Sequence, residues 1–219
     1  MSRYYTEFAA AYVRGRLNKL DRPFEELTES DYDSLFELGT QSGLRMHKFK
    51  RTMGLERVRK VLGMLKGLQP VDLLDIGTGR GVFLWPLLEL FPSLPVTCID
   101  TLPHRVADLQ ALAKGGITRV HAMQMDAQQL GFEDNSFDGV TLLETLEHIP
   151  NPLHVIRESC RVARQFVIVS VPAKPDNNPE HIHLFTTQTL NELFEQAGIN
   201  NVRFDGVLNH IIALALKDL

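Results

Sequence analysis

The stretch LLDIGTGRG, Leu73 to Gly81, runs from a short apolar segment into a loop with glycine at positions 77, 79 and 81, and it decides the fold. Glycine is needed where the backbone takes positive φ or where a ligand approaches it closely. An apolar run, such a loop and then an amphipathic segment read as strand, turn and helix. The same rhythm repeats downstream. VTCI is followed by a helical pattern over Val106 to Ala113, VHAM stands by itself, FDGVTLL is followed by Leu153 to Val162, and FVIVSV by Leu190 to Ala197. Strand and helix in alternation imply an α/β chain, with a largely parallel sheet covered on both faces. The final NNVRFDGVLNHIIALALK holds two apolar runs around a short link, with no room for a helical crossover, so an antiparallel pair is expected at the end.

Residues 1–69 contain no convincing strand and are expected to form a helical arm before a domain over 70–219. Leu55, Val58, Val61, Leu62, Leu65 and Leu68 recur at helical spacing, with Gly67, Gln69 and Pro70 closing that helix. Tyr4, Tyr5, Phe8 and Tyr12 open the arm, either as a lid over a substrate or as a plain packing face. Between positions 45 and 66, Arg45, Lys48, Lys50, Arg51, Arg57, Arg59, Lys60 and Lys66 face one acid, Glu56, a local basic run on a chain of net charge -4. That overall balance gives no general attraction to nucleic acid or to an acidic membrane. The first ten residues do not read as a leader, and nowhere do about eighteen apolar residues run together, so a cytoplasmic location is expected. Cys98 and Cys160 have no CxxC context and read as buried thiols.

In a parallel sheet, ligands bind beyond the carboxyl ends of the strands. The loop there is GxGxG rather than GxGxxG, and Asp75 before it would repel a pyrophosphate, so an acid in this place suits a cationic ligand. Nineteen residues after Gly81, Asp100 ends the second strand, where a carboxylate accepts from ribose hydroxyls. Asp126 follows the third strand, placed to accept from an exocyclic amine. Together they describe a nucleoside without phosphate at the ribose. The glycines could also be a mere tight turn, and Asp126 a helix cap. Trp85 and Pro86 read as packing in a first helical turn. His104, His121, His154 and His210 have no motif context.

DIGTGRG, CID, MDA, LGFEDNSFDGV and LLETLEHIPNP, in that order, resemble the class I S-adenosylmethionine-dependent methyltransferases, in particular the generic type 11-like methyltransferase domains, over roughly residues 70–217. The resemblance implies a Rossmann-like, doubly wound seven-stranded sheet with an antiparallel last strand. It implies S-adenosylmethionine as cofactor, with Asp75, Gly77, Thr78, Gly79 and Gly81 along its methionine end. Asp100 and Thr101 would lie at the ribose, Asp126 and Ala127 beside the adenine, and Glu144 would face cofactor and substrate. Two departures affect local turns: Gly131 stands where the group often has Pro before Phe132, and RVARQF replaces a Gly-rich turn before the fifth strand.

Glu144, Glu147 and His148 sit at i, i+3 and i+4, and His181 and His183 lie in the loop after the fifth strand. ExxEH followed by a distal His is similar to the metal site of the small-RNA 3′-end 2′-O-methyltransferases, which would make Glu144, Glu147, His148 and His183 ligands. The generic methyltransferases show a similar pattern without metal, so these loops are expected to shape the pocket and no metal is expected. His148 and His183 are then the candidate general bases. The expected function is methyl transfer to a small molecule. A metal-assisted RNA 2′-O-methyltransferase using the Arg45 to Lys66 run, and a noncatalytic cofactor-binding protein, remain as alternatives, with a nicotinamide oxidoreductase more distant. Oligomeric state and acceptor identity are not legible.

Overall fold

The computed structural model describes residues 3–51, 54–175 and 177–217. Residues 1–2 and 52–53 of the expected arm lie outside the described residues. The remaining arm is helical, with α1 Thr6–Leu17, α2 Glu29–Gln41 and α3 Glu56–Leu68. There follow β1 Leu73–Ile76, α4 Leu84–Leu90, β2 Val96–Asp100, α5 Pro103–Lys114, β3 Val120–Gln124, β4 Phe137–Leu143, α6 Pro152–Val162, β5 Ala163–Pro172, α7 Thr187–Gln196, β6 Asn201–Val207 and β7 His210–Leu216. The strands form one sheet of order β3-β2-β1-β4-β5-β7-β6. Pairing is parallel from β3 through β5, and β7 runs antiparallel to both β5 and β6.

β1 lies between β2 and β4, and all four of its residues are buried. Its side chains alternate between two cores. Leu73 joins the layer that holds Val61, Leu84 and Leu112, whereas Leu74 and Ile76 join the layer of Val155, Ile156 and Phe194. The missing Gly-rich turn before β5 has a local explanation. Helix α6 passes directly into the strand at Ala163, and the pairing steps from Phe137↔Ala163 to Gly139↔Phe166, one extra residue on β5. That β-bulge does the work of the turn, and Arg164 beside it ties down Asp72 and Asp138.

The arm shares a core with the sheet. Phe8 and Tyr12 are buried, and the rings of Phe8 and Phe49 stand 6.0 and 4.9 Å from that of Trp85. Of the two readings of the N-terminal aromatics, packing describes Phe8 and Tyr12. Helix α1 meets α5 at glycines. A Cβ added at Gly15 would lie 1.9 Å from the Ala111 carbonyl oxygen, and one at Gly115 1.7 Å from that of Ala11. Backbone therefore touches backbone, and neither site can relax by moving a side chain. We expect Gly15→Ala to cost about 2 kcal/mol through overpacking, lowering the melting temperature by roughly 4–8 °C. Gly63→Ala, at an exposed position of α3 with nothing within 4 Å of the new carbon, should be neutral or stabilising by up to about 1 kcal/mol. Equal effects in differential scanning calorimetry would contradict this account of the arm.

Candidate active site

The strand tips open on a cavity of about 760 Å³, within the range of small-molecule sites. Parallel register brings the distant acids to it: Asp75 of β1 lies opposite Cys98 of β2 and Thr141 of β4, with Asp100 and Glu144 just beyond. Asp75, Gly77, Thr78, Gly79, Asp100, Thr101, Asp126, Ala127, Glu144 and His148 all line the cavity. Gly81, Glu147 and His183 are not in its wall. Gly81 has a packing role instead: its φ is +82°, and an added Cβ would meet the Trp85 ring at 2.3 Å. Gly79 is different. At φ +61° its added Cβ would meet nothing closer than 3.7 Å, so its backbone faces open space, as a loop that receives a ligand requires.

Asp75 is 3% exposed and accepts a hydrogen bond from Thr141 Oγ1 at 2.7 Å. Among the described residues no basic side chain pairs with it. Burial pushes its carboxyl up from the ordinary 3.8 to about 6, against the hydrogen bonds of Thr141 and Thr78, with the charge of Asp100 adding to the rise. A carboxylate desolvated without a countercharge favours a cation brought to it. Asp100 is organised differently. Its Oδ1 accepts from Leu102 N at 2.9 Å, and its Oδ2 from Gly79 N at 3.0 Å and from Arg105 Nη1 at 3.3 Å. A carboxylate has about four acceptor sites, so the side chain is fixed in place with capacity left for a hydroxyl. Asp126 accepts from Gln128 N at 2.9 Å, which holds its turn. Val82 and Leu102, 46% and 39% exposed, offer apolar surface in the same wall.

Glu144 has φ +55°, an uncommon conformation for a side chain of this size. Its amide donates to Ser170 O at 2.9 Å, Ser170 Oγ donates to its Oε1 at 2.5 Å, His210 Nε2 lies 3.0 Å from Oε2, and Arg57 Nε 3.6 Å from Oε1. Its carboxylate is thus held by groups of this chain. Arg57 and His210 were not singled out for this site in the sequence: one was part of the basic run, and the other reaches Glu144 only through the antiparallel pairing of β7 with β5.

Beside this stands a second group. Glu147, His148 and His181 each place one ligand-capable atom so that all lie within 4.8 Å of one another. Glu147 Oε1 is 4.0 Å from Nε2 of both histidines, and His148 Nδ1 lies 3.0 Å from the Glu180 carbonyl. The amides of Ile182 and His183 both donate to the Glu147 carbonyl, pinning this loop. His181, not His183, therefore joins the cluster. His183 Nε2 instead faces Ile149 O at 3.1 Å, and Glu144 turns to Ser170 and His210.

Residues 74–169 match the model of a family described as methyltransferase domain. Residues 74–169 form an S-adenosylmethionine-dependent class I methyltransferase domain. Ubiquinone biosynthesis O-methyltransferase of Aliivibrio fischeri is 32% identical to this chain over 109 residues, 49% of this chain and 46% of that protein. Ribosomal RNA small subunit methyltransferase G of Streptococcus pyogenes is 36% identical over 85 residues, 38% of this chain and 35% of that protein. The chain thus spans less than half the length of these curated relatives. Among solved structures, a SAM-dependent methyltransferase from Aquifex aeolicus superposes with TM-score 0.57 at 19% identity, over 74% of this chain and 97% of that one. Phosphoethanolamine N-methyltransferase 2 of Haemonchus contortus, in complex with S-adenosyl-L-methionine, gives 0.61 at 16% identity, over 74% and 53%. At these identities the structures share the fold of the methyltransferase domain.

The residues present fit this cofactor: a buried acid without a countercation, an open glycine backbone and a fixed carboxylate at the second strand. Because the folded pKa of Asp75 is raised, the folded state binds more protons than the unfolded chain between about pH 4 and 6. Stability then falls as pH rises through that window, by about 3 kcal/mol in all. Asp75→Asn should therefore raise the melting temperature of the ligand-free protein at pH 7.5, with the gain vanishing near pH 4. A variant that is less stable at pH 7.5 would show that the buried charge is compensated.

Proposed function

We propose that this protein transfers a methyl group from S-adenosylmethionine to a small-molecule acceptor. The observation that carries the reading is the buried Asp75 carboxylate, without a basic partner among the described residues, opening on a cavity that also holds Asp100 and Asp126. Bound S-adenosylmethionine supplies a methyl group already activated by its sulfonium. Asp75 would face the cationic methionine end, Asp100 would accept from a ribose hydroxyl, and Asp126 would accept from the adenine amine. The chain's remaining task is to align the acceptor, exclude water and take up a proton. His148 is suited to the last: it stands in the cavity wall, and its Nδ1 lies 3.0 Å from the Glu180 carbonyl, which orients the ring.

A small acceptor is favoured over RNA by what becomes of the basic run. Lys48 pairs with Asp108, Arg51 with Glu89, Arg57 with Glu144, Arg59 with Glu56 and Lys60 with Asp205. Cations so engaged do not form a continuous track for a phosphate backbone. The Glu147, His148 and His181 cluster supports a second reading, a divalent ion at the same place. Turnover that survives a chelator supports His148 as base, whereas loss restored by Mn²⁺ supports the ion.

Two substitutions test the assignment. Asp100→Ala should weaken S-adenosylhomocysteine by about 1–3 kcal/mol, roughly 5- to 150-fold in calorimetry; unchanged affinity would remove Asp100 from the ribose. His148→Gln should lower kcat by about 100-fold or more with cofactor affinity retained. Methyl transfer at the wild-type rate would leave His148 with a shaping role alone.

A further inference from the structure

Next to the cofactor cavity lies a second one, of about 250 Å³, between the arm and the start of α5. Its wall includes Arg45, His47, Lys48, Arg80, His104 and Arg105, against one carboxylate, Asp108. That carboxylate is already engaged. Arg16 reaches it at 2.5 Å from one side and Lys48 from the other. Burial alone would push the Asp108 carboxyl up, yet the hydrogen bonds and charges of these two partners hold it below the usual range. Arg45 and Arg80 make no hydrogen bond or ion pair among the described residues, so two guanidinium groups face this space uncompensated. Like charges gathered around one cavity repel each other unless an anion joins them.

The wall is rigid. The Lys48 side chain is 7% exposed and its ammonium stands 4.3 Å from the Tyr12 ring centroid. Trp85 Nε1 donates to the Lys48 carbonyl at 2.9 Å, and the Phe49 ring packs on Trp85. The segment that carries Arg45 and His47 is therefore anchored in the core. On the other side, Arg105 uses Nη1 on Asp100 Oδ2 at 3.3 Å and keeps its other donors. Three guanidinium groups, Arg45, Arg80 and Arg105, in one wall suit an anion with three or more oxygens better than a two-oxygen carboxylate. The space holds about eight water volumes, enough for such a group and part of the molecule that bears it.

Gly79, Arg80 and Arg105 belong to the walls of both cavities. We propose that the basic cavity binds a phosphate group of a small molecule, seated against the cofactor site through these shared residues. A nucleic acid is the poorer occupant, because Lys48, Arg51, Arg57, Arg59 and Lys60 of the arm are already engaged in ion pairs. The proposal goes beyond the methyltransferase reading and does not depend on it.

The test is a titration of the purified protein with inorganic phosphate, followed by NMR, for wild type and for Arg45→Gln/His104→Gln, neither of which lines the cofactor cavity. S-adenosylhomocysteine is titrated in parallel as a control of folding. Saturable phosphate binding that falls roughly tenfold in the double variant, with homocysteine-product binding unchanged, supports the site. No saturation in wild type, or equal affinity in the variant, overturns it. A ten-nucleotide single-stranded RNA is the second arm: if it displaces phosphate at far lower concentration, with a steep salt dependence, the small-molecule assignment is overturned. Should the double variant fail to fold, His47→Gln is read in the same way. If phosphate binds while S-adenosylhomocysteine does not, the methyltransferase reading fails and the phosphate site stands.

Discussion

Everything functional in this molecule depends on the pairing of β1 with β2 on one edge and β4 on the other. Four residues, Leu73 to Ile76, are buried on both faces, and each register pair across them fixes where another strand ends. Asp75 enters the interior as part of this strand rather than by its own preference. The neighbours of the strand keep the carboxylate almost wholly buried, 3% exposed, and that burial is what raises its pKa. A slip by one residue in either pairing would send alternate side chains to the wrong face and carry Asp100 or Glu144 away from the cavity mouth. Stability and recognition are thus set by the same backbone hydrogen bonds.

The arm extends this arrangement. Its helices pack through Phe8, Tyr12 and the glycine contacts with α5 into the same core that covers one face of the sheet. From that anchored position α3 contributes Arg57 and Val58 to the cofactor cavity, and the segment before it contributes Arg45, His47 and Lys48 to the basic one. Two pieces of the arm therefore form walls of both sites, and what they carry there is mostly positive charge facing strand tips that are mostly acidic.

The strand tips were legible in the sequence because each is local: an apolar run ends, and the chemically active side chain follows at once. Asp75, Asp100, Asp126 and Glu144 all reach the cavity from such positions, and the antiparallel end of the sheet was visible in the shortness of its link. What could not be read is what depends on long-range register. His210 meets Glu144 only because β7 folds back along β5. His181 rather than His183 joins Glu147 because the Glu147 carbonyl pins the intervening backbone. The charge density along residues 45–66 was visible, but the partners of Lys48, Arg51, Arg57 and Lys60, namely Asp108, Glu89, Glu144 and Asp205, are scattered through the chain and invisible to any local pattern. The replaced turn before β5 likewise became a bulge that only strand pairing reveals.

The central claim is that the acids at the strand tips form one site for a cationic nucleoside. Its most direct test is calorimetric titration of the purified protein with S-adenosylhomocysteine across pH 5 to 8, beside NAD. The account predicts saturable binding of the homocysteine product that weakens as pH falls through about 6, where Asp75 takes up its proton, and no binding of NAD. Binding of NAD with comparable strength, or no heat from the homocysteine product at any pH, would contradict it.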